Sequence, residues 1–304
     1  MKIMNTNKVC AVVVTYNKID LLKECISRLE KQTFLLNHLI VVDNASTDGT
    51  GDYLDQISKS NSSVIPIYLL NNIGGAGGFN AGIKKFLETD DDFVVILDDD
   101  SLLDFSCIES LVLAASKLPK FGFLCSNVRW KDNTACLMNV PKVSEGKWSD
   151  YIEDGIVKVD TCSFVSVFIP RDVVKKVGLP ITDFFIWGDD LEYTGRINSQ
   201  FKERENYLVA SSKVTHAMTH NINVDIVSDS EDRLQRYYYR YRNLNFVNRR
   251  QGLKASTKYV LKSVLTIFKI LKSNAHHKGR RCGILIRGML SGFIFNPKIE
   301  VIDS

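Results

Sequence analysis

The first hundred residues alternate between short apolar runs and segments with helical periodicity. Apolar runs at 9–16, 38–44, 64–70 and 93–98 are short and rich in β-branched residues, which is typical of buried strands. Between them, amphipathic segments such as 18–32 place apolar side chains along one helical face. Nearly continuous apolar strands that alternate with helices predict an α/β fold whose doubly wound sheet is covered on both faces.

The rest of the chain is less regular until about residue 231. Strand-like runs occur at 121–128 and 161–169, and an aromatic run at 184–187 precedes a predicted helix. Beyond residue 231 the pattern is helical. A glycine-rich loop is predicted after the third strand, before a helix near 77–88.

Charge is divided unevenly between the two ends of the chain. The net charge is +4, yet 16 Lys and Arg and no acidic residue lie between Arg233 and Lys298. Residues 231–304 therefore carry +12, and the first 230 residues carry 4 − 12 = −8. This asymmetry predicts a domain at 1–230 and a basic helical region at 231–304 that packs on it.

The cysteines and the N-terminus favour a cytoplasmic protein. The seven cysteines are scattered and form no C-x-x-C pair, so neither a zinc site nor a disulfide framework is indicated. The N-terminus lacks the apolar stretch of a signal peptide, and no segment is long and apolar enough to suggest a spanning helix.

Polar signals follow the predicted strands, and the strongest is "DDD" after the fourth strand. On extended backbone Asp98 and Asp100 would point one way and Asp99 the other. Two carboxylates at a sheet edge where ligands bind suit a divalent cation such as Mg²⁺ or Mn²⁺. The alternative is a solvated acidic turn.

The stretch "IGGAGGFNAG" contains five glycines, which would let the backbone approach an anionic ligand closely. It is neither a Walker loop nor a dinucleotide fingerprint, because it lacks G-x-x-x-x-G-K and follows the third strand. A mobile turn is the alternative.

Two further clusters offer catalytic chemistry. "WGDDLEY" places two aspartates at a helix start, where they could favour the helix terminus or supply a general base. "HAMTH" offers His216 and His220, either of which could be structural or complete a metal shell, and we favour His216.

These motifs in this order resemble glycosyltransferase family 2, over roughly residues 8–250. They are "VVVTYN", "VVDNASTDGT", "NNIGGAGGFNAG", "LDDDS", "WGDDLEY", "VTH" and "YYYRYRNLNF". The resemblance implies an inverting enzyme with a GT-A fold, a Rossmann-like doubly wound mixed sheet, here followed by the basic helical extension. Residues 1–230 would then form the nucleotide-sugar-binding catalytic domain.

The resemblance also implies residue roles. The donor, a UDP- or dTDP-linked sugar, would contact Thr15, Tyr16, Asn17, Asp43, Asn44, Gly75, Ala76, Gly77, Gly78, Asn80, Asp98 and Asp99. The metal, Mn²⁺ or Mg²⁺, would be held by Asp98, Asp100 and His216. Asp190 would be the catalytic base, and Trp187, Asp189 and Glu192 would contact the sugar or the acceptor.

The glycine-rich motif is most similar to the galactofuranosyltransferase branch, which implies transfer of galactofuranose from UDP-galactofuranose. Bacterial rhamnosyltransferases that use dTDP-rhamnose share the acidic, "VTH" and "RN" features. Gly188 departs from the galactofuranosyl pattern, in which tryptophan runs directly into the aspartates. Two other classes are a sugar nucleotidyltransferase, whose phosphate loop after the first strand is missing here, and a non-catalytic nucleotide-sugar or membrane-binding protein.

The basic region suggests where the enzyme acts. In 256–272 apolar residues recur at helical spacing with lysines between them, which is typical of a helix in an anionic membrane interface. We expect peripheral attachment to the inner membrane face and a lipid-linked glycan acceptor for a cell-surface polysaccharide. A docked helix with a solvated basic face is the alternative. Nucleic acid is not expected as a partner, because the tyrosines and arginines that could stack on bases belong to the family motif.

Overall fold

The computed structural model describes residues 7–118 and 120–302, so the first six residues of the predicted domain and Asp303 of the basic region lie outside it. Strands and helices alternate in the N-terminal part, as predicted. This part contains β1 (Val9–Thr15), α1 (Ile19–Glu30), β2 (His38–Asp43), α2 (Thr50–Ser60), β3 (Val64–Tyr68), α3 (Gly74–Phe86), β4 (Phe93–Asp98), β5 (Ser101–Leu103) and α4 (Cys107–Lys117).

The C-terminal part adds further strands and ends in three helices. It contains β6 (Phe121–Arg129), β7 (Lys142–Val143), β8 (Ile156–Thr161), β9 (Val167–Pro170), α5 (Arg171–Val177), α6 (Asp189–Gln200), β10 (Glu205–His216), α7 (Arg236–Arg250), α8 (Leu253–Lys272) and α9 (Lys278–Ile294). Single turns of 3-10 helix lie at Ile152–Asp154, Thr182–Phe184 and Glu231–Arg233.

The strands form one mixed sheet in the order β3-β2-β1-β4-β9-β6-β10-β8-β7, with β5 paired to β10. The pairs among β3, β2, β1 and β4 are parallel, and β9 runs antiparallel to both of its neighbours. Because the parallel strands share one carboxyl edge, the loops that follow them converge there. The predicted α/β, doubly wound mixed fold is confirmed.

Strand β1 shows why both faces of the sheet are covered. All seven of its residues are buried, and successive side chains join opposite cores. Val9, Ala11 and Val13 belong to the core on the side of α1. Cys10 and Val12 belong to the core that contains residues of α3, α5 and α6.

The glycine-rich segment differs from the prediction, because it is the start of a helix and not a loop. Helix α3 begins at Gly74, a few residues before the predicted start. A Cβ added at Gly82 would overlap Val12 Cγ1 and lie 3.1 Å from Val42 Cγ2. At Gly78 it would overlap Val14 Cγ1. These glycines let α3 approach the sheet closely, which offsets their low intrinsic helix propensity.

Strand β10 carries an irregularity that bears on the site. It runs parallel to β6, but its register shifts between Val209, which faces Ser126, and Lys213, which faces Asn127. Residues 210–212 are therefore extra in β10. Beyond them the strand continues to His216, which pairs with Ser101 of β5.

The three C-terminal helices pack on one another and on the loop before α6. Leu234, Tyr237, Ile270 and Leu285 belong to a shared apolar core. Phe246 of α7 joins a second small core that contains residues of α3 and of the loop before α6. The domain boundary at residue 230 stays a prediction. Helix α7, which lies beyond it, packs on the loop before α6, which lies before it.

In the described ranges no helix combines the length and the apolar character needed to cross a bilayer.

We predict that Gly82→Ala destabilises the protein although alanine is the better helix former. The added methyl group would meet Val12 and Val42 in a close-packed core, where overpacking typically costs about 1–3 kcal/mol. Gly75→Ala in the same helix is the matched control, because its Cβ would meet no atom within 4 Å. Urea denaturation followed by circular dichroism compares the variants. Equal free energies of unfolding would contradict the close approach of α3 to β1.

Candidate active site

A cavity of about 840 Å³ opens at the carboxyl edge of the sheet. It lies beside the ends of β4 and β10, the start of α6 and one face of α7. Eight of the residues predicted for the site line it, namely Gly75, Asp98, Asp99, Asp100, Trp187, Asp189, Asp190 and His216. The structure thus brings together the acidic motif, the "WGDD" motif and one histidine from separate segments.

The three aspartates after β4 do not alternate as an extended strand would. Asp98 ends the strand, and a turn at Asp99 and Asp100 separates β4 from β5. Asp99 and Asp100 consequently both reach Lys18, at 3.1 and 2.9 Å. Burial and the nearby Asp100 raise the pKa of Asp98 to about 7, because like charges in a desolvated site oppose ionisation.

Lys18, which the sequence analysis missed, neutralises part of this charge. Burial opposes its positive charge, but Asp100 and Asp99 raise the pKa of the ammonium group above its usual value. Thr15 adds a hydrogen bond to Asp99 at 2.9 Å. Lys18 lies directly after "TYN". Its position just beyond the end of β1 is the signal from which it could have been predicted.

His216 is buried and meets the acidic cluster through its Nε2 atom, 3.1 Å from Asp100 Oδ1. Its Nδ1 atom lies 2.7 Å from Asn139 Oδ1, an acceptor, so Nδ1–H is the donor. The Asn139 amide is oriented by its own Nδ2, which donates to Ser163 Oγ at 2.7 Å. This arrangement directs Nε2 at the cluster. Asn139 lies in the irregular middle segment, where no sequence pattern marked it.

The cluster fits a divalent cation. Ligand atoms of Asp98, Asp100 and His216 all lie within 4.8 Å of one another. Asp100 Oδ1 is buried and accepts no hydrogen bond, which is costly unless a cation binds there. Burial disfavours charge on the His216 ring, yet the Asp100 carboxylate, 3.1 Å from Nε2, raises the pKa of the ring to about 10, so the position attracts positive charge. Two carboxylates and one imidazole suit Mn²⁺ or Mg²⁺. His220 lines the cavity but is exposed and lies outside this cluster.

Asp189 and Asp190 occupy the first turn of α6. Burial raises the pKa of Asp190 to about 6, although the Leu191 N–H and the charge of Arg240 lower it. Burial and the neighbouring Asp190 raise the pKa of Asp189 well above its usual value. A carboxylate with a pKa near 6 is suited to general base catalysis near neutral pH. The Asp190 side chain is only partly buried and lines the cavity.

The backbone immediately before these aspartates is strained. Phe185 and Trp187 have φ values of 62° and 63°, and Gly188 has 91°. Ile186 N donates to Phe184 O at 2.7 Å across Phe185, which gives the strained form of the γ-turn. Non-glycine residues in such conformations cost about 1–3 kcal/mol each and persist only where the surroundings hold them.

Helix α7 supplies that support. Asn243 is fully buried, and its Nδ2 donates to the carbonyls of Phe184, Ile186 and Trp187 at 2.9, 3.2 and 2.8 Å. Rings of the same helix pack on the loop: Tyr237 lies 5.0 Å from Trp187, and Tyr239 stacks 4.8 Å from Phe185. The tyrosines of "YYYRYRN" therefore pack against the loop that precedes the catalytic motif.

Five predicted donor residues lie at the ends of β1 and β2, outside the cavity wall. They are Thr15, Tyr16, Asn17, Asp43 and Asn44. Asn44 is buried and bridges Gly74 O and Ile73 N, each at 2.9 Å, so it fixes the start of α3. Asp43 accepts from Ser46 N at 2.9 Å. Tyr16 is exposed at the same edge. The contacts of these five residues with a nucleotide-sugar donor stay predictions.

The residues that follow Gly75 face the protein interior. Ala76 is fully buried in the small core that contains Phe246. A Cβ at Gly77 would lie 2.6 Å from Ile73 side-chain atoms, and Gly78 abuts Val14. Among these residues only Gly75 lines the cavity. Gly77 and Gly78 serve helix packing in this structure, and the contact of the glycine-rich segment with a nucleotide-sugar stays a prediction.

Asn80 and Glu192 are corrections to the sequence prediction. Asn80 is buried on α3, and its Nδ2 donates to Pro180 O at 2.9 Å, away from the cavity. Glu192 is buried in a two-point ion pair with Arg196, with N–O distances of 2.8 and 2.9 Å. Neither side chain is free to contact a sugar, because each already has a protein partner.

Solved structures with the same architecture define the class of fold. The crystal structure of GalNAc-T7 with UDP, GalNAc and Mn²⁺ matches with a TM-score of 0.63 at 16% identity, over 80% of this chain and 48% of that chain. The mannosyltransferase PcManGT from Pyrobaculum calidifontis, in complex with GDP-Man and Mn²⁺, matches with a TM-score of 0.57 at 14% identity, over 95% and 88% of the two chains. At these identities the likeness shows the fold, which is GT-A.

The sequence places the chain within that class. The profile of Glycosyl transferase family 2 matches residues 10–176, more than half of the chain. The protein belongs to glycosyltransferase family 2, as its motifs predicted.

Among individual relatives, the chain is similar to galactofuranosyltransferase GlfT1 from Mycobacterium tuberculosis (strain CDC 1551 / Oshkosh). The two are 37% identical over 200 residues, which is 63% of this chain and 65% of the relative. The match therefore spans slightly less than two thirds of that protein.

We predict that Asn139→Ala lowers the affinity for Mn²⁺ by about 10–100-fold without removing a metal ligand. The amide fixes the tautomer and the orientation of His216, and losses of that size are typical when such a partner is removed. Isothermal titration calorimetry with MnCl₂ measures the affinity. Asn248→Ala is the control, since that amide donates to Leu244 O within α7. Wild-type affinity in Asn139→Ala would exclude the positioning role.

Proposed function

We propose that the protein is a metal-dependent, inverting glycosyltransferase. It transfers galactofuranose from UDP-galactofuranose to a lipid-linked or glycan acceptor in the synthesis of a bacterial cell-surface polysaccharide. One observation carries the proposal: the Asp98, Asp100 and His216 cluster and the partly buried Asp190 line the same cavity. A metal-binding group and a base are the two functions that a metal-dependent inverting sugar transfer requires of its protein.

The chain's own residues support a single displacement. Asp190 accepts the proton of the acceptor hydroxyl as that oxygen attacks the anomeric carbon from the face opposite the diphosphate. The proton stays on the Asp190 carboxyl, whose pKa of about 6 allows it to be released afterwards. A bound Mn²⁺ or Mg²⁺ supplies stabilisation of the negative charge that develops on the leaving diphosphate. Lys18, beside Asp99 and Asp100, adds a positive charge at the same end of the cavity.

The choice of galactofuranose rests on the similarity to GlfT1, whose name states that activity. Nucleotide-sugar use is supported by the GT-A neighbours, one of which holds UDP and another GDP-Man. Rhamnose from dTDP-rhamnose is the alternative donor, because Gly188 departs from the galactofuranosyl motif.

Attachment to the inner membrane surface is supported by the outer face of α8 and α9. Helix α8 turns Tyr259, Val260 and Ile267 toward the protein core. Its outer face leaves Leu265 and Phe268 66% and 55% exposed, with lysines at intervals along the helix. Exposed apolar residues continue on α9, where Leu290, Phe293 and Ile294 lie. An apolar, basic face of this kind is suited to an anionic bilayer surface.

Asp190→Asn is expected to lower the transfer rate about 100–10,000-fold, because the amide cannot accept the acceptor proton. Binding of Mn²⁺ and UDP, measured by calorimetry, should remain. Asp20→Asn is the matched control, since Asp20 occupies the equivalent first-turn position of α1 and is exposed. Unchanged turnover in Asp190→Asn would contradict the assignment of Asp190 as the base, whereas a wild type that binds UDP with Mn²⁺ but transfers no sugar would favour the non-catalytic alternative.

The pH profile tests the same base. Because burial raises the pKa of Asp190 to about 6, its carboxylate form is lost as the pH falls through 6. The turnover number of the wild type should therefore rise with pH through that value and level off above it. A rate that is flat between pH 5 and 7 would contradict the assignment of Asp190.

The donor is identified by a thermal-shift screen with Mn²⁺ and a panel of nucleotide-sugars. UDP-galactofuranose should raise the melting temperature more than dTDP-rhamnose, and Asp100→Ala should remove the metal-dependent part of the shift. A larger shift with dTDP-rhamnose would select the alternative donor.

Membrane attachment predicts that the protein co-sediments with phosphatidylglycerol vesicles in low salt and is released in part by high salt. Replacing Leu265 and Phe268 by serine should reduce binding several-fold. The control replaces Leu35 and Leu70, which are 77% and 95% exposed outside the helical region. Wild-type protein that stays in the supernatant in low salt would refute the attachment.

A further inference from the structure

Three arginines of the cavity wall take no part in the chemistry described so far. Arg233 lies in the turn before α7, and Arg236 and Arg240 lie on the helix, at spacings of three and four residues. Residues at these spacings share one helical face, and all three line the cavity. The wall opposite the sheet edge is therefore strongly basic.

These guanidinium groups are poorly satisfied by the protein. Within residues 7–118 and 120–302, no carboxylate lies within 4.0 Å of Arg236 or Arg240, and neither side chain makes a hydrogen bond. Arg233 reaches Asp229 only at 3.5 Å, and its buried Nε has no partner. Arg236 is exposed and Arg240 is partly buried, whereas the Nε atom of Arg233 is buried, where polar groups are normally paired. Unpaired donors on one cavity wall point to an anionic ligand.

Other arginines of the chain, unlike these three, make several hydrogen bonds with the protein. Arg281, which is buried, donates from Nε to His276 O at 2.8 Å and from Nη2 to Asp229 O at 3.0 Å. Arg196 pairs with Glu192 through two nitrogens. The three cavity arginines lack such networks, so their positions are not explained by support of the fold.

Their place in the cavity is on the side of Asp190 and not at the metal cluster. The guanidinium of Arg233 lies 5.6 Å from the centre of the Trp187 ring, three residues before Asp190. Lys18 is the cation that pairs with Asp99 and Asp100. An anion held by the arginines would lie beside the base, where the acceptor hydroxyl must come.

Apolar residues share this wall of the cavity with the arginines and with the polar segment 228–230. Trp187 and Val224 line the cavity and also pack against the core that contains Leu234 and Tyr237. This core is continuous with α8 and α9, whose outer faces are apolar. The combination of apolar and cationic surface fits an amphiphile with an anionic head.

We propose that Arg233, Arg236 and Arg240 form a subsite for a phosphate or diphosphate group of the acceptor. The inference rests on the proposed function, because it assigns this wall of the cavity to the acceptor. Guanidinium groups bind phosphate oxygens through paired N–H donors, which gives orientation as well as affinity. The subsite would place the acceptor hydroxyl near Asp190 and would exclude acceptors that carry no phosphate.

The test separates this subsite from the metal-dependent donor site. Inorganic pyrophosphate is titrated into the wild type in EDTA, where no divalent ion can recruit it, and geranyl diphosphate is titrated in parallel. Arg236→Ala/Arg240→Ala should weaken the binding of both probes at least tenfold. Arg240→Lys should retain part of the affinity, since it keeps the charge but loses the fork. Arg250→Ala is the matched control, an exposed arginine at the far end of the same helix.

Two further titrations distinguish the sources of phosphate. Binding of UDP with Mn²⁺ should be unchanged in Arg236→Ala/Arg240→Ala; a parallel loss would assign the arginines to the donor diphosphate and overturn the proposal. Binding to phosphatidylglycerol vesicles should also be unchanged; a loss there without a loss of geranyl diphosphate would assign them to membrane headgroups instead. Failure of the wild type to bind either probe in EDTA would also overturn the proposal. Failure to bind UDP with Mn²⁺ would count against the proposed function alone.

Discussion

Three carboxylates follow one another at the end of β4, and the cavity is arranged around their charge. Asp98, Asp99 and Asp100 could not all remain ionised in a desolvated site without positive partners. Lys18 supplies one, and His216 meets Asp100 from the other side. Asp100 Oδ1, which faces His216 Nε2 and accepts no hydrogen bond, is where a cation fits best. Residues from elements far apart in sequence therefore surround the same buried negative charge.

The second half of the site depends on a different kind of contact, between α7 and a strained loop. The backbone at Phe185 and Trp187 lies in conformations that these residues rarely adopt. Three carbonyls of the loop accept from the single amide of Asn243. A buried amide with several partners of this kind is costly to replace, because any shorter side chain leaves carbonyls unpaired. The helical region therefore contributes directly to the position of Asp190.

Much of the fold could be predicted from the sequence because its signals are local. Hydrophobic runs located the first four strands, the convergence of parallel strand ends placed Asp98 and Asp100 at the cavity, and the family motif pointed to Asp190, which lines the same cavity. The pattern failed where side-chain contacts across the fold decide the outcome. Glycines that suggested a phosphate loop instead allow α3 to lie against β1. The motif placed Glu192 at the sugar or the acceptor, but Arg196, one helical turn later, pairs with both of its oxygens.

The residues that could not be predicted from the sequence act by positioning other residues of the site. Asn139 comes from the irregular segment before β7, and its effect on His216 depends on a contact between positions 77 residues apart. Asn243 and the tyrosines of α7 were visible as a motif, but nothing local indicated that they hold the loop before α6. Contacts of this type have no periodicity and can be read only from three-dimensional coordinates.

The register shift in β10 determines which deletions and insertions the chain can tolerate near the site. Side chains of a strand alternate between faces, so the number of residues between Val209 and Lys213 sets the face on which every later side chain falls. Removal of one residue from 210–212 would turn His216 away from the cluster while leaving the strand itself intact. Grafting or shortening segments here would thus uncouple the histidine from the acidic pair, whereas the same edit in an exposed connection would be silent.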